Sequence, residues 1–177
     1  MQKELDIRSI VLTGLMTALV YISTVMFLIP IPTGFIHLGD FTIFVSVLLL
    51  GTKRAVFASG IGMFLVNILS GAFHWAPFTL VIKGSMALIS GYIIDKKGSS
   101  YKTCFIAFVS ASIFMVIGYF FAGIFVASFF MENVEDIEAS LIFAMAGIFP
   151  NIIQVSAAVF IAMPMVKVIQ KLKRLKD

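Results

Sequence analysis

Six long apolar runs separated by short polar gaps constrain this 177-residue chain more than any other feature. They lie at roughly 9–29, 38–52, 54–71, 76–95, 102–131 and 139–166. A transmembrane helix needs about 20 mainly apolar residues, so six spans with short loops use nearly the whole chain. Composition agrees: 60% of residues are hydrophobic and 12% are charged, more apolar surface than a soluble domain of this size can bury. The expectation is an all-α integral membrane protein. It is a bundle of six transmembrane helices, one domain over residues 1–177, with no room for an attached nucleotide-binding domain.

Individual runs carry further detail. The second is short, and Phe41 to Gly51 covers only about 17 Å as a helix. Such a span needs help from its flanks or a locally thinner bilayer. The fifth is long enough to tilt, with Gly118 and Gly123 as points where it can bend. The first follows Lys3 and Arg8 and extends from Ser9 to Ile29. That is too long for a signal-peptide core, and no small-x-small cleavage site follows, so it reads as the first span.

Charge sets orientation. One side of the bundle collects Lys3, Arg8, Lys53, Arg54, Lys96, Lys97, Lys102, Lys167, Lys171, Lys173, Arg174 and Lys176, which is every Lys and Arg except Lys83. The other side holds His37, Asp40, His74, Glu132, Glu135, Asp136 and Glu138. The basic side is therefore cytoplasmic and carries both termini, which an even number of spans requires. The net charge of +4 thus reports topology rather than nucleic-acid binding. The run Glu132–Glu138 reads as a solvated outer loop. Cys104, the single cysteine, can form no internal disulfide or metal set and reads as a small buried or lipid-facing residue.

Small residues recur four apart: Gly14 and Ala18, Ala58 and Gly62, Ala87 and Gly91, Ala158 and Ala162. Each pair flattens a helix face, either for packing inside the bundle or for docking another membrane protein.

Polar groups within a membrane are costly and mark function. Here they gather toward the outer half. The first loop, Ile29-Pro30-Ile31-Pro32-Thr33-Gly34-Phe35-Ile36-His37-Leu38-Gly39-Asp40, has two prolines and two glycines yet is apolar enough for membrane depth. Non-helical backbone there must be buried in protein or line a cavity, so the loop is expected to wall or cover an outward pocket. Asp40 reads either as the N-cap of the second helix or as a site residue. Lys83, seven residues into the fourth helix counted from Pro77, either snorkels to the outer interface or lies in a pocket. In the pocket it would hold a ligand oxygen or be neutralised by Asp40.

Three further groups complete the candidate site. Thr79 and Lys83 share a helix face, with His74 and Trp75 further out; Trp75 is an interface anchor or a stacking surface for a flat ring. Asn151 and Gln154 project from one face of the sixth helix, where Pro150 can open the backbone locally. They are helix–helix glue or ligand contacts, and Asn67 in the third helix is a similar case weighted toward glue. Nothing supports catalysis: no G-x-x-x-x-G-K-[ST], no H-E-x-x-H, no G-x-S-x-G and no metal-holding acidic cluster is present. No cofactor is expected.

Taken together, the Pro/Gly-rich loop ending Ile36-His37-Leu38-Gly39-Asp40, Leu49-Leu50-Gly51, Gly60-Ile61-Gly62 and the stretch from Ala76-Pro77 to Lys83-Gly84 resemble the S-components of energy-coupling factor (ECF) transporters. The resemblance covers nearly all the chain and is strongest over residues 10–95. It is closest to the riboflavin-type branch that includes hydroxymethylpyrimidine and pyridoxine carriers. It implies a subunit that binds a vitamin or precursor from outside. That subunit docks on a membrane T-component driven by two cytoplasmic ATPases and topples to release its load. The family's small-xxx-small docking motif on the first helix falls on Gly14-Leu15-Met16-Thr17-Ala18, with glycine where alanine is usual. The expected ligand residues are His37, Asp40, Asn67, His74, Trp75, Thr79, Lys83, Asn151 and Gln154. Riboflavin and pantothenate are the other ligands in view. The rival readings are a stand-alone secondary transporter of a small polar solute, for which no inverted repeat is visible, and a membrane-embedded enzyme, which lacks an acid/base or nucleophile pair.

Overall fold

In hydrocarbon every backbone amide must be satisfied within the protein, and an α-helix does this locally. The computed structural model, which describes residues 7–31, 34–131 and 136–174, is accordingly almost all helix. Lys3, Pro32, Thr33, Glu132, Asn133, Glu135 and Lys176 lie outside the described residues. In chain order the elements are α1 (Ile7–Met26), a hairpin of β1 (Ile29–Ile31) and β2 (Gly34–Ile36), α2 (Gly39–Leu50), α3 (Thr52–Leu69), a 3₁₀ turn (Phe73–Trp75), α4 (Ala76–Lys97), α5 (Tyr101–Phe130), α6 (Ile137–Ala146) and α7 (Ile148–Arg174). Among the described residues five stretches are long and apolar enough to cross a membrane, α6 and α7 together forming the last. The short apolar α2 packs among them. This is an all-α membrane bundle with a small β-hairpin let into one end.

The shortness of α2 has a packing explanation. Asp40, Thr42, Ile43, Phe44, Ser46, Val47, Leu48 and Leu50 are all buried, and Phe44 stacks on Phe108 of α5 with ring centroids 4.3 Å apart. The helix is sheathed by its neighbours, so it need not match the bilayer thickness itself. By contrast α1 buries only Met16, Val20 and Thr24, a single stripe at four-residue spacing. Its hydroxyls are satisfied locally: Thr13 and Thr17 donate to the carbonyls of Ser9 and Thr13 at 2.8 and 2.9 Å.

The small-residue pairs separate into two groups. Ala58, Gly62, Ala87, Gly91, Ala158 and Ala162 are buried; a Cβ on Gly62 would stand 2.9 Å from the Thr17 carbonyl oxygen of α1. These pairs serve internal packing. Gly14 and Ala18 are exposed, and a Cβ at Gly14 would meet nothing within 4 Å.

One detail differs from the expectation. The last span breaks at Gly147, not at Pro150: Pro150 is the third residue of α7, where its missing N–H costs little. The Asn151 N–H already bonds to the Gly147 carbonyl at 3.2 Å. Within α5, one helix from Tyr101 to Phe130, Gly118 and Gly123 have a packing role. These glycines make room for neighbours, since added Cβ atoms would approach Ile82 at 3.1 Å and Ala144 at 3.3 Å.

The basic ends of the helices meet. Arg54 Nη1 donates to Ser9 Oγ at 3.2 Å, tying the start of α3 to α1. Thr52 Oγ1 donates to Asp95 Oδ2 at 2.6 Å, tying it to the end of α4. Gln170 Nε2 donates to the Ser99 carbonyl, joining α7 to the α4–α5 turn. Lys53, Arg54, Lys96, Lys97, Lys102, Lys167 and Lys171 are all exposed at this end. The hairpin, the 3₁₀ turn and α6 lie at the other.

Candidate ligand-binding site

At the non-basic end the hairpin, α3, the 3₁₀ turn, α4, α5, α6 and the start of α7 surround one cavity of about 60 Å³. The hairpin places Ile31, Phe35 and His37 on it, through the antiparallel register Ile29↔Ile36, Pro30↔Phe35 and Ile31↔Gly34. Non-helical backbone thus walls a cavity, as bilayer physics requires. From α3 come Met63, Val66 and Asn67; from the 3₁₀ turn and α4, Trp75 and Thr79. Helix α5 adds Tyr119 and Gly123, and the α6–α7 break contributes Phe143, Ala144, Gly147, Asn151 and Gln154.

Beneath these walls lies a buried ion pair. Lys83 Nζ donates to Asp40 Oδ1 at 2.5 Å, and both side chains are 0% exposed. Gln154 Nε2 donates to the other oxygen, Oδ2, at 2.6 Å, while Gln154 Oε1 accepts the His37 backbone N–H at 3.1 Å. One amide therefore links the ion pair to the hairpin exit. Gly39 fits into this corner because any Cβ would lie 2.0 Å from Thr24 Oγ1.

Both readings of Asp40 and Lys83 as terminal or interface residues are corrected here. Asp40 is not the N-cap: that position is Leu38, with no side-chain cap. Its carboxylate turns inward because an isolated buried charge would be far costlier than a paired one. Lys83 does not snorkel for the same reason. The ammonium also faces the Tyr119 ring, 5.1 Å from its centroid. Neither member of the pair lines the cavity.

The wall itself is polar but neutral. The Gly39 N–H donates to His37 Nδ1 at 3.3 Å, which requires a lone pair on that nitrogen. Burial pushes the imidazole down to about 4; the Asp40 charge opposes this and the Lys83 charge adds to it. His37 is thus uncharged near neutrality, with Nε2 unbonded among the described residues. Tyr119 Oη donates to Thr79 Oγ1 at 3.1 Å, and the Trp75 and Tyr119 rings lie 6.1 Å apart. The side-chain amides of Asn67 and Asn151 have no hydrogen-bond partner among the described residues. They are therefore available to a ligand, whereas Gln154 is already engaged at both ends.

Of the expected residues, His37, Asn67, Trp75, Thr79, Asn151 and Gln154 line the cavity. Asp40 and Lys83 support it from below. His74 lies outside: its ring stacks on Phe130 at 5.9 Å, at the end of α5. Reasoning from sequence singled out neither Tyr119 nor Phe143 and Met63, the last two lying in apolar runs where nothing marks one over its neighbours, while Phe35 belongs to the loop expected to wall the pocket. Tyr119 did offer a signal, a phenol in the middle of an apolar span, whose hydroxyl needs a partner.

A polytopic α-helical membrane protein with one aromatic-walled, uncharged polar cavity under a hairpin has the form of a membrane-embedded small-molecule-binding subunit. Residues 4–171 match the family model described as ECF-type riboflavin transporter, S component, and the chain belongs to that family. It is thus a multi-pass membrane component of vitamin uptake, from a family of transporter subunits rather than enzymes. Comparison with curated proteins gives no match.

Proposed function

We propose that this S-component captures an uncharged, single-ring, water-soluble vitamin or precursor at the non-basic, outward end of the bundle. It delivers the ligand through a T-component driven by two cytoplasmic ATPases. The observation that carries the reading is the pair of amides, Asn67 and Asn151, unpartnered among the described residues, on a cavity walled by Trp75, Tyr119 and Phe35 whose described lining holds no unpaired charge. Small-ligand sites combine this kind of apolar wall with a few placed polar groups. Hydroxymethylpyrimidine and pyridoxine are of the right class. Pantothenate is an anion, and Lys83, the cation nearest the cavity among the described residues, is already neutralised by Asp40.

The second reading is riboflavin, favoured by the description of the matched family. The cavity of about 60 Å³ weighs against a three-ring ligand, since even benzene occupies a cavity of about 150 Å³. Any ring ligand must part these walls, and a tricyclic one must part them further. Mass spectrometry of small molecules released from the purified protein, followed by titration, tests the proposal. A bound single-ring vitamin supports it; a flavin or a carboxylate ligand overturns the substrate class. Uptake that persists without the ATPases would instead favour a stand-alone transporter.

The docking surface belongs on α1. Gly14 and Ala18 are exposed there among Leu15, Leu19 and Ile22, whereas the other small-residue pairs are consumed by internal packing.

A further inference from the structure

A second concavity shares no lining residue with the first. Between α5 and α7 a groove of about 910 Å³ opens laterally, with Tyr101, Phe105, Ile117, Ile152, Phe160 and Pro164 among its lining residues. Phe105, Ile117, Ile152 and Phe160 are exposed on the outer face of the bundle. The groove therefore opens toward hydrocarbon. Along α5 it extends from Tyr101 to Ile117, roughly 24 Å at 1.5 Å per residue. The space is long and lined mainly by apolar side chains, as an acyl chain requires.

One end of the groove is charged. Tyr101 lines its mouth, and the Lys167 ammonium is held over the Tyr101 ring, 5.1 Å from the centroid. Lys102 is the next residue on α5, and Lys171 follows Lys167 by one turn of α7. All three lysines are exposed, and among the described residues no carboxylate pairs with them. Gln170 fixes this corner by donating to the Ser99 carbonyl. Basic pockets between transmembrane helices at one membrane surface attract anionic headgroups, and the attraction grows with each lysine.

We propose that the α5–α7 groove binds an anionic phospholipid, with acyl chain in the groove and phosphate against Lys102 and Lys167. The hydrophobic term comes from the groove and the selectivity from the two ammonium groups.

The test is native mass spectrometry of the protein released from nanodiscs containing equal phosphatidylglycerol and phosphatidylcholine of identical acyl composition. The wild type should retain phosphatidylglycerol preferentially. The double variant Lys102→Gln/Lys167→Gln should lose that preference by roughly thirtyfold, while Lys102→Arg/Lys167→Arg keeps it. Ser156→Trp, which fills the groove, should reduce retention of both lipids. Soluble glycerophosphate should not displace the adduct, because the headgroup alone lacks the acyl term. A phospholipid with a photoactivatable acyl chain should label residues within 101–117 and 152–164. Equal retention of the two lipids, an unchanged preference in the glutamine variant, or labelling confined to other helices overturns the proposal. The lysines are exposed surface groups, so their replacement leaves the fold intact, and the readout is independent of which vitamin is bound.

Discussion

Two kinds of buried polar residue occur around the cavity, and they should respond oppositely to mutation. Asp40 and Lys83 satisfy each other and touch no cavity surface. Lys83→Met strands a carboxylate and should destabilise the protein by about 3–5 kcal/mol, read as a fall in the thermal unfolding midpoint in detergent. Adding Asp40→Asn should recover most of that loss, and the double variant should bind ligand within a few-fold of wild type. A double variant that is stable but no longer binds would put the pair in contact with ligand. Asn67 and Asn151 are the converse case, because nothing inside the described residues depends on their amides. Asn67→Ala and Asn151→Ala should leave the unfolding midpoint nearly unchanged and weaken binding about tenfold to a hundredfold, since each leaves ligand atoms unpaired at about 1–3 kcal/mol. Unaltered titrations for both would remove these amides from the site. Gln154→Leu should cost both stability and affinity, since its amide bridges the His37 backbone and Asp40. The ion pair was legible in the sequence because a lone intramembrane cation demands a counter-charge and Asp40 was the nearest. That Asp40 points away from its own helix terminus was not legible, since capping and pairing both place an aspartate at that position.

At the scale of elements, the bundle distributes its contacts unevenly. Helix α2 is enclosed, and α1 touches its neighbours through the stripe Met16, Val20 and Thr24 and leaves its opposite face bare. Leucine at Gly14 or Ala18 therefore has space within this chain. Gly14→Leu and Ala18→Leu should leave vitamin binding near wild type while abolishing co-purification with the T-component and uptake, because close backbone approach supplies much of helix association in membranes. Gly62→Leu is the control: its side chain would drive into Thr17 and Val20 of α1, so it should lower the unfolding midpoint as well. Wild-type uptake in both α1 variants would move the docking face elsewhere. The four small-residue pairs look alike in sequence, because spacing marks a flat face without saying what lies against it. Only the packing separates Gly14 and Ala18 from the rest. The same limit hid the break at Gly147, where Pro150 was the stronger local signal but sits harmlessly in a first turn.

At the scale of the molecule, the six runs and their order were legible because bilayer thickness and backbone hydrogen bonding leave few alternatives. The walls of the cavity were less so, since Tyr119, Phe143 and Met63 come from uniformly apolar runs that face lipid and protein alike. Orientation rests on a different kind of signal, long-range charge asymmetry, and the fold bears on it directly. The contacts Arg54–Ser9, Thr52–Asp95 and Gln170–Ser99 draw the loops that carry the lysines and arginines into one end of the bundle. Had the loops been mixed between two ends, the positive-inside rule would have had no side to choose. Instead the rule assigns that end to the cytoplasm and directs the cavity proposed to bind ligand outward. Single cysteines introduced at exposed positions test this, on a background in which buried Cys104 is replaced by serine. Phe73→Cys, beside the cavity on the 3₁₀ turn, should react with an impermeant maleimide added to intact cells. Gly98→Cys, at the α4–α5 turn, should react only after the membrane is permeabilised. Because the two positions lie at opposite ends of α4, an inverted protein would exchange the two results, and an inverted pattern would overturn the outward cavity together with the proposal that it captures its ligand from outside.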